Sequence, residues 1–317
     1  MKTFLEDLRK ELKKQNLNDV EIADIINDHE EMISQAMEEG LSEDQIVEKF
    51  GDPEQLAEEL SKNASDDEGD ETEISNDSSL IKTISKEGID TVDFKLIHEA
   101  IDIQASSSDQ FEVHGKNIAL KYYNIFEKSG TLHIERKHTM DIKLRIMRDH
   151  GEIFILKIPK DNQLKLMDIK SKASDINIDH LKADSLEIKT VSGDLNITNS
   201  SIHDGQIKAI SGDAQIKGSS FDSVIISNVS GDYRFKNTKI ENSLTIGSVS
   251  GDFFAEDSEA KDVVYRAVSG DFEGREFYPK TLTLKSVSGD ITINNKDKER
   301  PIEIKSKKTL SGDVNIN

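Results

Sequence analysis

Val191-Ser192-Gly193-Asp194-Leu195-Asn196-Ile197 decides the fold, because its central tripeptide returns at a nearly fixed interval. Ser-Gly-Asp stands at Ser192-Gly193-Asp194, Ser211-Gly212-Asp213, Ser230-Gly231-Asp232, Ser250-Gly251-Asp252, Ser269-Gly270-Asp271, Ser288-Gly289-Asp290 and Ser311-Gly312-Asp313. Successive glycines are 19, 19, 20, 19, 19 and 23 residues apart. A constant period near twenty marks a solenoid, in which each repeat is one supersecondary unit stacked on its neighbours.

Aligned on the glycine, the apolar residues fall into columns. One repeat reads Leu186, Ile188 and Val191 before the tripeptide, then Leu195, Ile197 and Ile202 after it. The next reads Ile207, Ile210, Ala214, Ile216 and Phe221. Apolar and polar residues alternate within each half, the period-2 pattern of strands with one buried face. Most are β-branched or aromatic, as strands prefer. Glycine supplies the positive φ of a tight turn, and Ser and Asp bond nearby amides there. Each repeat therefore reads as strand, Ser-Gly-Asp turn, strand, looser turn. The apolar columns, Val191 and Ile210 included, are expected to face the core. Ser174-Asp175 reads as a degenerate repeat with Ala173 in the place of glycine.

The expected fold class is mainly β: a solenoid of about 19-residue, two-strand rungs over 166–317, preceded by an irregular β cap over 80–165. Residues 1–62 are a separate object with the helical period. Phe4, Leu5, Leu8 and Leu12 form one stripe. Ile22, Ile25, Ile26, Met32, Ile33, Ala36 and Met37 form a broader one. Ser42 with Gln45 reads as a capping box, and Asp52-Pro53 as an N-cap followed by Pro at the first helical position. This is a small four-helix domain. Residues 63–79 form an acidic linker whose charges are Asp66, Asp67, Glu68, Asp70, Glu71, Glu73 and Asp77. Such a composition buries too little apolar surface to order itself.

The net charge of −21 is uneven. Residues 1–62 hold 18 acids and 7 bases, a net of −11; the linker adds −7, leaving −3 for the β region. An acidic module does not suit nucleic acid or anionic lipid, both of which need Lys and Arg. There are no cysteines. No run approaches the ~20 apolar residues of a membrane span. Met1-Lys2-Thr3-Phe4-Leu5 leads into a charged amphipathic helix rather than a signal peptide, so the expected compartment is the cytoplasm.

The column Asp194, Asp213, Asp232, Asp252, Asp271, Asp290, Asp313 is the one regular array of ionisable groups in the sequence. Stacked carboxylates either repel and share cations, or act as turn residues bonded to amides. The turn role is the expectation, with no metal and no cofactor. A polysaccharide-cleaving β-helix enzyme would cluster Asp with basic residues at one place. Here Asp repeats identically, and Arg234, Arg266, Arg275 and Arg300 are scattered. The eight histidines lack ligand spacing such as HExxH. No enzyme activity is expected. Partner binding is assigned to Ile22, Ile26, Met32 and Ile33 on the long helical segment. The last rung, ending in Val314 and Ile316, offers an edge for self-association.

Two resemblances cover nearly the whole chain. Phe4-Leu5-Glu6-Asp7-Leu8, Asp24-Ile25-Ile26-Asn27-Asp28-His29-Glu30, Gly40-Leu41-Ser42-Glu43 and Phe50-Gly51-Asp52-Pro53 with Leu56-Ala57 resemble the HAAS-type helical signalling domain of Gram-positive bacteria. Ile158-Pro159 followed by the Ser-Gly-Asp rungs resembles the bacterial β-strand-repeat family labelled a putative adhesin. The first resemblance implies a protein partner, such as a PadR-like regulator or a membrane-associated stress protein. The second implies a place in envelope-stress systems. Neither implies catalytic residues. The expected function is a non-enzymatic interaction scaffold; the alternatives are a surface adhesin and, behind it, the polysaccharide-acting enzyme.

Overall fold

The computed structural model describes residues 2–15, 22, 25, 26, 29, 33, 42, 52–58, 79–115, 123–137 and 153–317. They fall into two compact units. Met32, Gln45 of the expected capping box and nearly all of the acidic linker lie outside the described residues.

In the helical unit, Lys2–Lys14 is an α-helix. Phe4, Leu8 and Leu12, at spacings of four, put one face into a core with Ile22, Ile26, Ile33, Leu56 and Ala57. A second helix runs through 53–58. Asp52 is its N-cap: Oδ1 accepts the amide of Glu54 at 2.9 Å, and Pro53 occupies the first turn where no amide is needed.

The β unit is a solenoid of about eight turns with a spacing near 19 residues. Each regular turn carries two strands in parallel register with those of its neighbours. Lys182–Lys189 lies between Leu164–Lys170 and Ser201–Ala209, while Leu195–Thr198 lies between Ile176–Asp179 and Ala214–Lys217. Register steps by one repeat, so that Ile188 pairs with Ile207 and Ile207 with Ile226, with local irregularities at Phe221/Ser223, Ile240/Ser243 and Leu282/Thr283. Identical positions therefore stack, and each apolar column becomes a continuous ladder in the core. One stretch of it is aromatic, with Phe253 stacked on Phe272 at 5.0 Å and Tyr265 edge-on to Phe272 at 5.1 Å. Toward the C-terminus the looser turn is absorbed into strand. Phe253–Ala267 and Phe272–Ser286 each run through both strand positions of a rung.

The region read as an irregular cap holds two regular rungs, stacked out of chain order. Thr91–Lys95 pairs in parallel with Thr131–Arg136 on one side and Leu164–Lys170 on the other. Ala100–Ser106 lies likewise between Ile153–Pro159 and Ile176–Asp179. The later segment thus stacks outside the earlier one. Beyond it come antiparallel strands, Gln110–Gly115 on Ile153–Pro159 and Ser79–Ser85 on Gln110–Gly115. Antiparallel closure changes the pairing pattern at that end, which no fixed period announces.

Candidate functional site

The repeated corner is built from glycine outward. Gly193, Gly212, Gly231, Gly251, Gly270, Gly289 and Gly312 have φ between +104° and +130°. The backbones also approach closely: a Cβ on Gly231 would lie 2.1 Å from the Gly212 carbonyl oxygen, and one on Gly212 would lie 2.2 Å from that of Gly193. Both the torsion and the stacking exclude a side chain. At the start of the column Gly193 faces Ser174, so Ser174, and not Ala173, holds the glycine position of the degenerate repeat. Ala173 instead bridges to Ser192.

The aspartates bond between rungs. Oδ1 of Asp175 accepts the amide of Asp194 at 2.9 Å, and Asp194 accepts that of Asp213 at 2.9 Å. Asp213 takes Asp232, Asp232 takes Asp252, Asp252 takes Asp271, Asp271 takes Asp290 and Asp290 takes Asp313, all at 2.7–2.9 Å. The reading of turn residues bonded to amides placed these contacts inside each turn. They run instead from one rung to the next, because the parallel stack sets each carboxylate beside the following amide. A charged acceptor makes the stronger kind of hydrogen bond. Among the described residues, no three His, Asp or Glu side chains converge as a metal ion would need.

Val191, Ile210, Val229, Val249, Val268, Val287 and Leu310 are exposed, between 46% and 84%. The expectation that these columns face the core is corrected here. Parity explains it: Ile188 to Val191, Ile207 to Ile210 and Ile226 to Val229 are each steps of three, which cross to the outer face of a strand. They stand in register, since the amides of Ser211, Ser230 and Ser250 bond the carbonyls of Val191, Ile210 and Val229 at 2.7–2.9 Å. One corner of the solenoid therefore shows an outward apolar ladder beside an outward row of carboxylates.

The other turn is not loose. His180, Asn199, Asn237, Asp257 and Glu276 sit at φ +48° to +57°. Next to this turn runs a buried polar ladder that the sequence reading missed. The Ser200 hydroxyl accepts the Leu181 amide at 3.1 Å and donates to the Thr198 carbonyl at 2.8 Å. Ser219 accepts the Ser200 amide at 3.1 Å, and Ser258 the Thr238 amide at 3.0 Å. Asn295 does this for Phe277 at 2.9 Å. Its signal was a small polar residue 19 or 20 positions apart amid otherwise apolar core positions.

At the N-terminal end, Glu99 is 1% exposed. It accepts the amides of Ile97 and His98 at 2.7 and 3.1 Å, the Tyr123 hydroxyl, and Arg136 Nη1 at 3.1 Å. Burial pushes its carboxyl up, but these donors outweigh it and hold the group below the usual glutamate value. A buried carboxylate with four donors is a structural clasp. In the helical unit Ile22, Ile26 and Ile33 are 3–5% exposed. They pack in that unit's own core with Phe4, Leu8 and Leu12.

Residues 89–253 and 222–317 match the Toastrack DUF4097 family, and the chain belongs to it. Residues 3–59 match the HAAS family. Among solved structures, a putative lipid binding protein from Parabacteroides distasonis ATCC 8503 is 14% identical, with a TM-score of 0.54 over 77% of this chain and 98% of that one. A putative adhesin from Bacteroides fragilis NCTC 9343 is 13% identical, with a TM-score of 0.46 over 76% of this chain and 98% of that one. No curated protein matches the chain. No helix among the described residues is long and apolar enough to cross a membrane.

Proposed function

We propose that this protein is a non-enzymatic interaction scaffold of a bacterial signalling or envelope-stress system, working in the cytoplasm. The helical unit recruits a protein partner, and the solenoid is a recognition surface. One observation carries this reading: the corner shows the same kind of exposed side chain rung after rung, while each carboxylate from Asp175 to Asp290 is committed to the next rung. A reaction needs a few unlike groups converging on one point. A ladder of like groups suits an extended contact. The HAAS match agrees with a signalling role for the helical unit, and a net of −11 over 1–62 favours a basic partner, such as a PadR-like regulator or a membrane-associated stress protein.

Affinity capture from the native cell tests the division of roles, with the full chain and a version lacking 1–62 as baits. The expected result is loss of the partner on deletion, with the β-type circular dichroism kept. If the shortened bait retains every partner, the helical unit is not the recruiting module. A second reading, a surface adhesin, draws on the same repetitive exposed ladder. Cell fractionation separates the two: protein at the cell surface supports the adhesin.

A further inference from the structure

We propose that the outward ladder from Val191 to Leu310 is a self-association face, on which two copies of this chain pair side by side with their solenoids parallel. The inference does not depend on the signalling role.

The ladder's flanks differ in sign. Two residues before each ladder position the side chain points to the same outer face of the strand. There stand Lys208, Arg266 and Lys285, all exposed and without an ion pair among the described residues. Lys189 occupies the same column and is held by Glu187 at 3.0 Å. Ser227 and Gly247 leave the middle of this flank uncharged. Three residues after each ladder position comes the carboxylate row. Asp232 alone in that row has an ion pair among the described residues, with Arg234 at 3.3 Å. The stripe is thus an apolar seam with cations on one side and carboxylates on the other, most of them without an ion pair among the described residues.

Such a seam complements itself in one orientation. A two-fold axis along the solenoid axis exchanges the flanks, setting each copy's carboxylates against the other's cations and each Val opposite its counterpart. A two-fold axis across the stack keeps each flank on its own side and opposes carboxylate to carboxylate. The mixed flanks also argue against an anionic membrane, which the acidic row repels. From Val191 to Leu310 the seam runs roughly 29 Å at ~4.8 Å per rung. With its flanks it covers roughly 400–500 Å² per copy, below the ~800 Å² of a standard interface. The pairing is therefore weak and reversible, and is to be sought at tens of micromolar.

Sedimentation equilibrium of the full chain from about 1 to about 200 μM tests it. The expected result is a monomer–dimer equilibrium that weakens between about 0.05 and about 0.5 M salt. Val229→Lys with Val249→Lys, both at exposed positions, should raise the dissociation constant at least ~10-fold with the melting temperature unchanged. A chain monomeric at the highest concentration, or a double variant that pairs as well as the parent, overturns the proposal. Orientation is read with single cysteines, which the cysteine-free chain permits. Ile210→Cys alone, and Val287→Cys alone, should each give disulfide-linked homodimers under mild oxidation. Crosslinking only when the two variants are mixed would mean antiparallel pairing and would overturn the parallel arrangement.

Discussion

Asp213 Oδ1 accepts the backbone amide of Asp232 at 2.8 Å, so one rung's side chain completes the next rung's corner. Replacing Asp213 with Ala leaves that amide without its charged acceptor. The expected cost is about 1–2 kcal/mol in urea unfolding. Asp213→Asn keeps the oxygen and should cost less than half as much. Equal losses for the two variants would mean that this hydrogen bond contributes little.

Gly231→Ala places a Cβ 2.1 Å from the Gly212 carbonyl oxygen at a φ of +110°. Strain and clash together predict a loss of about 3 kcal/mol. Gly88 is the control, because its φ of +79° has nothing within 4 Å of the added carbon. Gly88→Ala should cost about 1 kcal/mol. The comparison is made from denaturation midpoints at constant m-value.

Calcium should not stabilise the protein through the aspartate row, because one oxygen of each carboxylate from Asp175 to Asp290 already accepts an amide. The melting temperature is expected to agree within about 1 °C between millimolar calcium and chelator. A rise that follows calcium concentration would show that the row binds the ion instead.

Glu99 sets an acid limit on the solenoid's N-terminal end. Its folded pKa is depressed below the ordinary glutamate value of about 4.5. Its stabilising effect is therefore full above about 4.5 and is lost as pH falls through the folded value. Glu99→Gln should be less stable than the parent at pH 7, and the difference should shrink as pH drops below about 4.5. A gap that stays constant down to pH 3 would mean that ionisation of Glu99 contributes nothing.

Tyr265 is buried, and its hydroxyl donates to the Gly270 carbonyl at 3.1 Å. Burial, followed by the carboxylates of Asp252 and Asp271, pushes the phenol far up. Tyr265→Phe should cost about 1 kcal/mol, read from the thermal midpoint. The ring's packing on Phe272 is kept in that variant.

The repeat made the parallel stack legible from the Ser-Gly-Asp period, since identical positions stack wherever register advances by one repeat. The same alignment misplaced Val191 and its counterparts, because columns record recurrence and not direction. Direction follows from counting in twos from Ile188, and that count puts Val191 outside. The rung-to-rung destination of the Asp carboxylates was not legible, since a sequence does not say which amide stands beside a side chain. Ser200, Ser219 and Ser258 were passed over because a lone serine near a turn looks solvent-exposed until its repeat spacing is noticed. In the helical unit, Ile22, Ile26 and Ile33 show the period of a buried face, and that face is filled by the unit's own core.

The rung of Thr91–Lys95 and Ala100–Ser106 has both of its stacking neighbours later in the chain, at 131–159 and at 164–179. During synthesis it leaves the ribosome with both edges open; one neighbour is complete only 53 residues after Ser106, and the other only 73 residues after it. Later rungs need wait only for the next repeat. Loop closure across that interval comes before any reward from pairing, so the N-terminal end has the highest contact order and should form slowly. The regular C-terminal repeats, made last, are thus suited to be the template on which the first-made strands settle.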